Sequence, residues 1–307
     1  MPGPGAVIVS LEGGLGNQLF QYAAGLALAS ERGVPLQVVR GRLVAARALD
    51  APKLLDLPAQ TLTAYERFLC GLPGGSLDGL PSSIKRIVKP VARRRSRYTV
   101  IQQDLMQMAD PRVEIDAGER YVHLRGLFQH PSYYEPVLSD IVSRIVDQLG
   151  PSLDARAGDG VVAMHFRRGD YVLHGYDLPL SFQEEALSTI VERHMVSRIL
   201  VMSDDHDFAR LAAEHFERGG LKATVVGGDP DRSELDDFCA LASAQHLAMS
   251  NSTFAWWAAM VGDRLRGDDD RVVVCPTPWM PLRAAGTIPA AALDLSRDRW
   301  ILHPVRP

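Results

Sequence analysis

At 307 residues, 46% apolar and 23% charged, the chain has the composition of a soluble globular protein long enough for two domains. Its formal net charge of −4 excludes generic nucleic-acid binding, which shows as a basic excess. Three scattered cysteines (Cys70, Cys239 and Cys275) form neither a disulfide framework nor a zinc site. Without a leader-like or membrane-spanning apolar run, they point to a cytoplasmic setting.

In chain order, the short β-branched run Ala6–Leu11 reads as a strand, 12–16 as a glycine loop, 17–32 as a helix and 36–39 as the next strand. Residues 41–115 carry proline and glycine breaks and give no detailed assignment. Inside them, Lys85 to Arg97 holds seven basic residues. That stretch is either a solvated loop or helix face, or a patch that rests on an anionic membrane surface. Residues 121–125 read as a strand and 132–149 as an amphipathic helix. Glycine, proline and polar residues from Gly150 to Gly160 mark a domain boundary. Beyond it, strands at 161–165, 199–203, 222–226, 246–250 and 271–275 alternate with helices at 183–197, 206–218, 233–245 and 252–262. Single helices between strands mean a parallel, doubly wound sheet.

Four constellations could carry chemistry. His165-Phe166-Arg167-Arg168-Gly169-Asp170 comes directly after a buried strand and so delivers two guanidinium groups to the carboxyl edge of a sheet, where open α/β folds bind ligands. A phosphate or pyrophosphate suits them, and they could neutralise a departing diphosphate; the bland alternative is an interdomain ion pair. Asp170 could orient an arginine or act as a base. Ser250-Asn251-Ser252-Thr253-Phe254 opens a helix, which makes it an anion seat or an ordinary N-cap. Trp256 and Trp257, just beyond it, read as core. Gly14-Leu15-Gly16-Asn17 is a weak match to a dinucleotide fingerprint, with Asn17 presenting an amide. Ser203-Asp204-Asp205-His206-Asp207 contains a D-x-D that could chelate a metal, although two acids before a helix more simply cap it.

Together these stretches resemble glycosyltransferase family 11, the α-1,2-fucosyltransferases. The carriers are Gly13-Gly14-Leu15-Gly16-Asn17-Gln18-Leu19-Phe20-Gln21-Tyr22, the H-x-R-R-x-D block from His165 to Tyr171, Ser203-Asp204-Asp205 and Asn251-Ser252-Thr253-Phe254-Ala255-Trp256-Trp257. They stand in the family's order from residue 13 to 257. The resemblance implies an α/β, GT-B-like fold of two Rossmann-like halves facing across a cleft. An acceptor-side domain would span 1–155 and a GDP-fucose-binding domain with a doubly wound parallel sheet 156–307.

It also implies metal-independent, inverting transfer of L-fucose from GDP-L-fucose to the 2-hydroxyl of a β-galactoside, with no cofactor. Arg167 would hold the β-phosphate and His165 would lie along the nucleotide. Ser252 and Thr253 would bind the diphosphate, and Asp236 would read guanine. Asn17, Arg168, Ser203, Asp204, Asn251 and Phe254 complete the expected donor site. The general base stays open among Asp170, His174 and Asp177, with Asp170 preferred. Two rivals remain: a metal-dependent transferase of another nucleotide sugar, and a nucleotide-binding protein without catalysis.

Overall fold

The computed structural model describes residues 5–40, 51–76, 78–103, 115–154, 159–227, 232–267, 271–280 and 294–306. The chain divides into two compact units, Met1–Ser139 and Asp140–Pro307. The boundary expected between residues 155 and 156 lies outside the described residues. Both units are α/β with wholly parallel sheets, the class expected.

The first unit runs β1 (Ala6–Leu11), α1 (Leu15–Arg32), β2 (Leu36–Arg40), α2 (Ala51–Leu54), α3 (Ala64–Cys70), α4 (Ser82–Arg95), β3 (Tyr98–Gln102), β4 (Tyr121–Arg125) and into α5 (Pro131–Leu149). Its sheet order is β2-β1-β4-β3. β1 is buried at every position, as a central parallel strand covered on both faces must be, which is why it reads as an unbroken apolar run. Two buried glutamines set the glycine loop between β1 and α1. Gln21 accepts the Glu12 N–H at 2.8 Å and donates to the Glu12 carbonyl at 3.3 Å. Gln18 donates to the Gly13 carbonyl at 2.9 Å and accepts the Ala51 N–H at 3.0 Å. α1 must then lie close to the sheet, because a Cβ at Gly25 would come within 2.8 Å of Leu36 Cδ1. On β4, the buried His123 bonds Ser10 Oγ at 2.8 Å and the Tyr98 hydroxyl at 2.6 Å.

The second unit holds β5 (Val161–Phe166), α6 (Gly169–His174), α7 (Leu180–Val191), β6 (Arg198–Ser203), α8 (His206–Arg218), β7 (Ala223–Val226), α9 (Glu234–Ser243), β8 (His246–Ala248), α10 (Thr253–Arg266), β9 (Val273–Thr277) and β10 (Ile301–Pro304). The order β10-β9-β8-β5-β6-β7 starts in the middle, winds out through β6 and β7, returns to β8 and winds out the other way. The two directions part between β5 and β8, and this switch point is where a doubly wound sheet offers a crevice at its carboxyl edge. The expected helix 183–197 is corrected to Leu180–Val191. Pro179 precedes it, and past it His194 packs against His246, with ring centres 4.4 Å apart and planes tilted by 43°. The expected strand 246–250 ends at Ala248, and Ser250 instead bonds His165. Trp256 and Trp257 are fully buried core, in edge-to-face contact at 5.2 Å.

A buried ion pair locks α10 to the sheet. Arg271, with no exposed side chain, meets Asp263 at 3.0 Å, and the Trp300 indole N–H donates to the other Asp263 oxygen at 2.8 Å. A Cβ at Gly262 would collide with the Arg271 guanidinium, so glycine makes room for the pair. Burial pulls the Arg271 pKa down to about 10, and Asp263 opposes that shift. Asp263→Ala should therefore cost about 3–5 kcal/mol, because it strands a buried charge. Urea unfolding checks this, and a loss under ~1 kcal/mol would show that the Ala242 and Ala244 carbonyls, which accept from Arg271 Nη1, satisfy the charge by themselves.

Candidate active site

β5 ends in the arginine pair. His165, its penultimate residue, is buried; its Nδ1 bonds Ser250 Oγ at 2.7 Å, and its carbonyl accepts from Gln183 Nε2 at 2.9 Å. Burial holds the His165 pKa down to about 4, helped by Arg167 and opposed by Asp204, so the ring is neutral at pH 7. The chain then turns sharply, and Asp204 just beyond β6 makes that turn. Its Oδ1 accepts the N–H groups of Arg168 and Gly169 at 2.8 and 3.2 Å, while its Oδ2 meets Arg167 Nη1 at 2.7 Å. A Cβ at Gly169 would sit 2.6 Å from that Oδ2, which is why the motif carries glycine here.

Arg167 is 17% exposed, paired at Nη2 with Asp170 at 2.5 Å and stacked over the Tyr171 ring at 5.3 Å. Among the described residues it uses two of a guanidinium's five N–H donors in these pairs, so others remain for a ligand. The Tyr171 hydroxyl donates to the Asn251 carbonyl at 3.3 Å, tying this turn to the start of α10. Arg168 is engaged differently. It meets Asp205 and Asp177 at 3.3 Å each and lies 4.0 Å over the Phe208 ring.

Across the switch point, β8 leads into α10. Ser252 is the N-cap residue, yet its hydroxyl makes no capping bond and stands beside the N–H groups of the first turn. Asn251 is fully buried; its Nδ2 donates to the Tyr176 carbonyl at 2.9 Å, and its Oδ1 is an acceptor without a partner among the described residues. Phe254 lies 6.1 Å from the His165 ring and 5.5 Å from Phe238, a wall beside the imidazole. Thr253 is the first residue of α10 and half-buried.

The remaining sequence candidates are distributed. Ser203 is buried, and its hydroxyl accepts the Asp205 N–H at 3.1 Å. Asp205 caps α8 by accepting from the Phe208 N–H at 3.0 Å, and this bond, ahead of Arg168, lowers its pKa. Asp207 pairs with Arg210, so the two acids of the D-x-D serve different partners. His174 is exposed at the end of α6, and Asp177 is held by Arg168. Asn17 belongs to the first unit, where its Oδ1 accepts from Gln129 at 3.0 Å.

Asp236 closes a capping box on α9. Its carboxylate accepts from the Ser233 N–H and hydroxyl at 2.8 Å each, which lowers its pKa. Its neighbour Asp237 is half-buried and paired with Arg232 at 3.2 Å; burial pushes its pKa up. It also borders Gly227 at the carboxyl end of β7, where a Cβ would be 3.3 Å from its Oδ2 and 3.6 Å from His206 Cε1. Sequence reasoning did not single out Asp237, nor Tyr171 and Gln183 as supports of the arginine turn. A cavity of 860 Å³ runs along this edge, bordered by Arg168, Gly169, Asp204, His206, Val225 and Gly227.

Fold and geometry thus define a class, a doubly wound α/β unit with an arginine turn and a helix N-terminus facing each other at its switch point. Residues 100–277 match the model of Glycosyl transferase family 11, more than half of the chain. The chain belongs to that family and is a glycosyltransferase. It is 24% identical to an α-1,2-colitosyltransferase of Escherichia coli, over 96% of this chain and 98% of that protein. It is 29% identical to the O-antigen biosynthesis glycosyltransferase WbnK of Escherichia coli over 45% of this chain and 43% of that protein. Among solved structures, the α-1,6-fucosyltransferase NodZ soaked with GDP-fucose aligns over 84% of this chain and 93% of that chain. The TM-score is 0.44 and the identity 11%.

The buried imidazoles give the protein an acid limit. His165 and His246 are held down to about 4 from 6.5, and His123 to about 3, in each case first by burial. His246 Nδ1 accepts the Val272 N–H at 3.1 Å, a bond only the neutral ring can make. Because the folded values lie below 6.5, the unfolded chain takes up these protons first. Stability is complete above pH 6.5 and falls as pH drops toward 4, by about 1.4 kcal/mol per pH unit for each histidine. Urea midpoints that stay level between pH 7 and 5 would show the rings to be charged in the fold.

Proposed function

We propose that the protein moves L-fucose from GDP-L-fucose to the 2-hydroxyl of a terminal β-galactoside, with inversion. The observation that carries this reading is the Arg167 guanidinium, held by Asp204 and Asp170 at the end of β5, one strand from the open N-terminus of α10. As the bond from the sugar's anomeric carbon to the β-phosphate oxygen breaks, its electron pair stays on that oxygen. Arg167 and the first-turn N–H groups of α10 neutralise the growing charge. Ser252 and Thr253 add hydroxyl donors to the diphosphate, and the neutral His165, backed by Phe254, lies along the nucleotide.

The acceptor hydroxyl adds to the opposite face of an oxocarbenium-like sugar, which gives the inverted linkage, and its proton, made acidic as the bond forms, passes to water. Asp170 orients Arg167, and so dissociative a reaction asks little of a base. We assign the reading of guanine to Asp237 rather than Asp236, whose carboxylate is engaged in its helix cap. A carboxylate there accepts the guanine N1–H and amino group, a donor pair that adenine lacks. No metal enters this scheme, and Asp205 and Asp207 keep their roles as cap and ion pair. The full-length similarity to a colitosyltransferase supports a second reading, the same chemistry with a GDP-linked colitose as donor.

Mass spectrometry of products from GDP-fucose or GDP-colitose and a panel of β-galactosides, with EDTA present, separates these readings. A deoxyhexose added to galactose supports the first, and a dideoxyhexose the second. Turnover only with manganese defeats the metal-free scheme. Arg167→Ala should lower kcat by about 10²–10³ with the fold intact; an active variant removes the arginine from the mechanism. Asp237→Ala should raise the donor KM about ten- to a hundredfold and spare kcat, whereas Asp236→Ala should leave the KM alone. The reverse pattern would return guanine reading to Asp236.

A further inference from the structure

α4 runs for 14 residues without burying one side chain. Its inner face is nevertheless anchored. Val88 and Ala92 pack against the cluster of Phe68, Leu69 and Tyr98. Arg93 donates to the Leu69 carbonyl at 2.8 Å and lies 4.8 Å over the Tyr98 ring, and Lys85 donates to the Asp78 carbonyl at 2.7 Å. These cations belong to the fold.

The outer face differs. Ile84, Ile87 and Val91, spaced three and four residues apart, form one apolar stripe, exposed by 43%, 72% and 50%. Arg86, Arg94 and Arg95 accompany it on the same helix, and no Asp or Glu occurs from Ser82 to Arg97. Among the described residues no carboxylate pairs with any of these three arginines.

Single exposed apolar residues need no explanation, but a stripe edged by free guanidinium groups is the surface of a helix that lies in a bilayer interface. We propose that α4 docks the first unit onto an anionic membrane surface. Ile84, Ile87 and Val91 enter the boundary of the acyl chains, and Arg86, Arg94 and Arg95 meet lipid phosphates. The charge selects this occupant. A second copy of the helix would oppose arginines with arginines, and a nucleic acid would leave the apolar stripe in water. Among the described residues no helix is long and apolar enough to cross a membrane. The proposal is independent of the donor sugar.

Flotation of the full-length protein with vesicles of phosphatidylcholine, with and without a quarter of phosphatidylglycerol, is the test. Binding is expected to the anionic vesicles only and to weaken with salt. The triple variants Ile84→Ser/Ile87→Ser/Val91→Ser and Arg86→Ser/Arg94→Ser/Arg95→Ser should each reduce it at least about tenfold, with unchanged circular-dichroism melts. No flotation by the unaltered protein would overturn the proposal. So would full binding by the apolar triple, which would mean adsorption by charge alone. A dimer seen by light scattering that the apolar triple dissolves, without vesicle binding, would make the stripe a contact between copies and would also overturn it.

Discussion

One carboxylate organises the second unit's functional edge. Asp204 leaves β6 with one oxygen on two successive backbone N–H groups and the other on Arg167, so it shapes the turn after β5 and aims the guanidinium in a single act. Hydrogen bonds to an ionised acceptor are about twice as strong as neutral ones, and these hold a turn that has no regular structure of its own. Gly169 is a consequence of that choice, since any side chain would push the carboxylate away. The neutral buried His165 is another. A strand that must enter the core two residues before an arginine cannot carry another charge there.

The sheet order explains why these residues meet. β5 and β8 are neighbours in space although some eighty residues separate their ends, and the chain leaves them toward opposite sides. The loops at the carboxyl ends of β5 and β8 must therefore share one crevice. The Tyr171 hydroxyl on the Asn251 carbonyl and His165 on Ser250 pin the two exits together, so the arginine and the start of α10 are held at a fixed spacing. Preorganisation of this kind spares the binding step the cost of ordering side chains.

Much of this edge is legible in the sequence because glycine, arginine and hydroxyl residues interrupt apolar strands where the strands end. Residues 161–170 and 246–254 alone are enough to locate it. The choice between Asp236 and Asp237 is not legible. Two adjacent acids in a first helical turn point about 100° apart, and only the packed helix shows which one faces Gly227. α3 escapes the pattern of apolar runs although Thr63 and Glu66 spell its capping box. β3 and β10 are hidden for another reason. They are edge strands whose exposure alternates or is partial, and β10 ends in a proline, so neither shows the buried apolar run that marks β1 and β5. α4 is concealed by Pro90 and by a charge pattern that, read alone, fits a loop as well as a helix.

The adjacent arginines divide their work, and the geometry shows why two are present. Four carboxylates (Asp170, Asp177, Asp204 and Asp205) surround two guanidinium groups, an excess of negative charge. The proposed donor diphosphate requires that part of that excess be committed elsewhere. Arg168 does this. Held over Phe208 between Asp177 and Asp205, it offsets one of their two charges and leaves Arg167 facing Asp204, which it needs for aim, and Asp170, which is 58% exposed. Arg168 thus acts through its neighbour, and the second positive charge of the motif belongs to the frame that makes the first available.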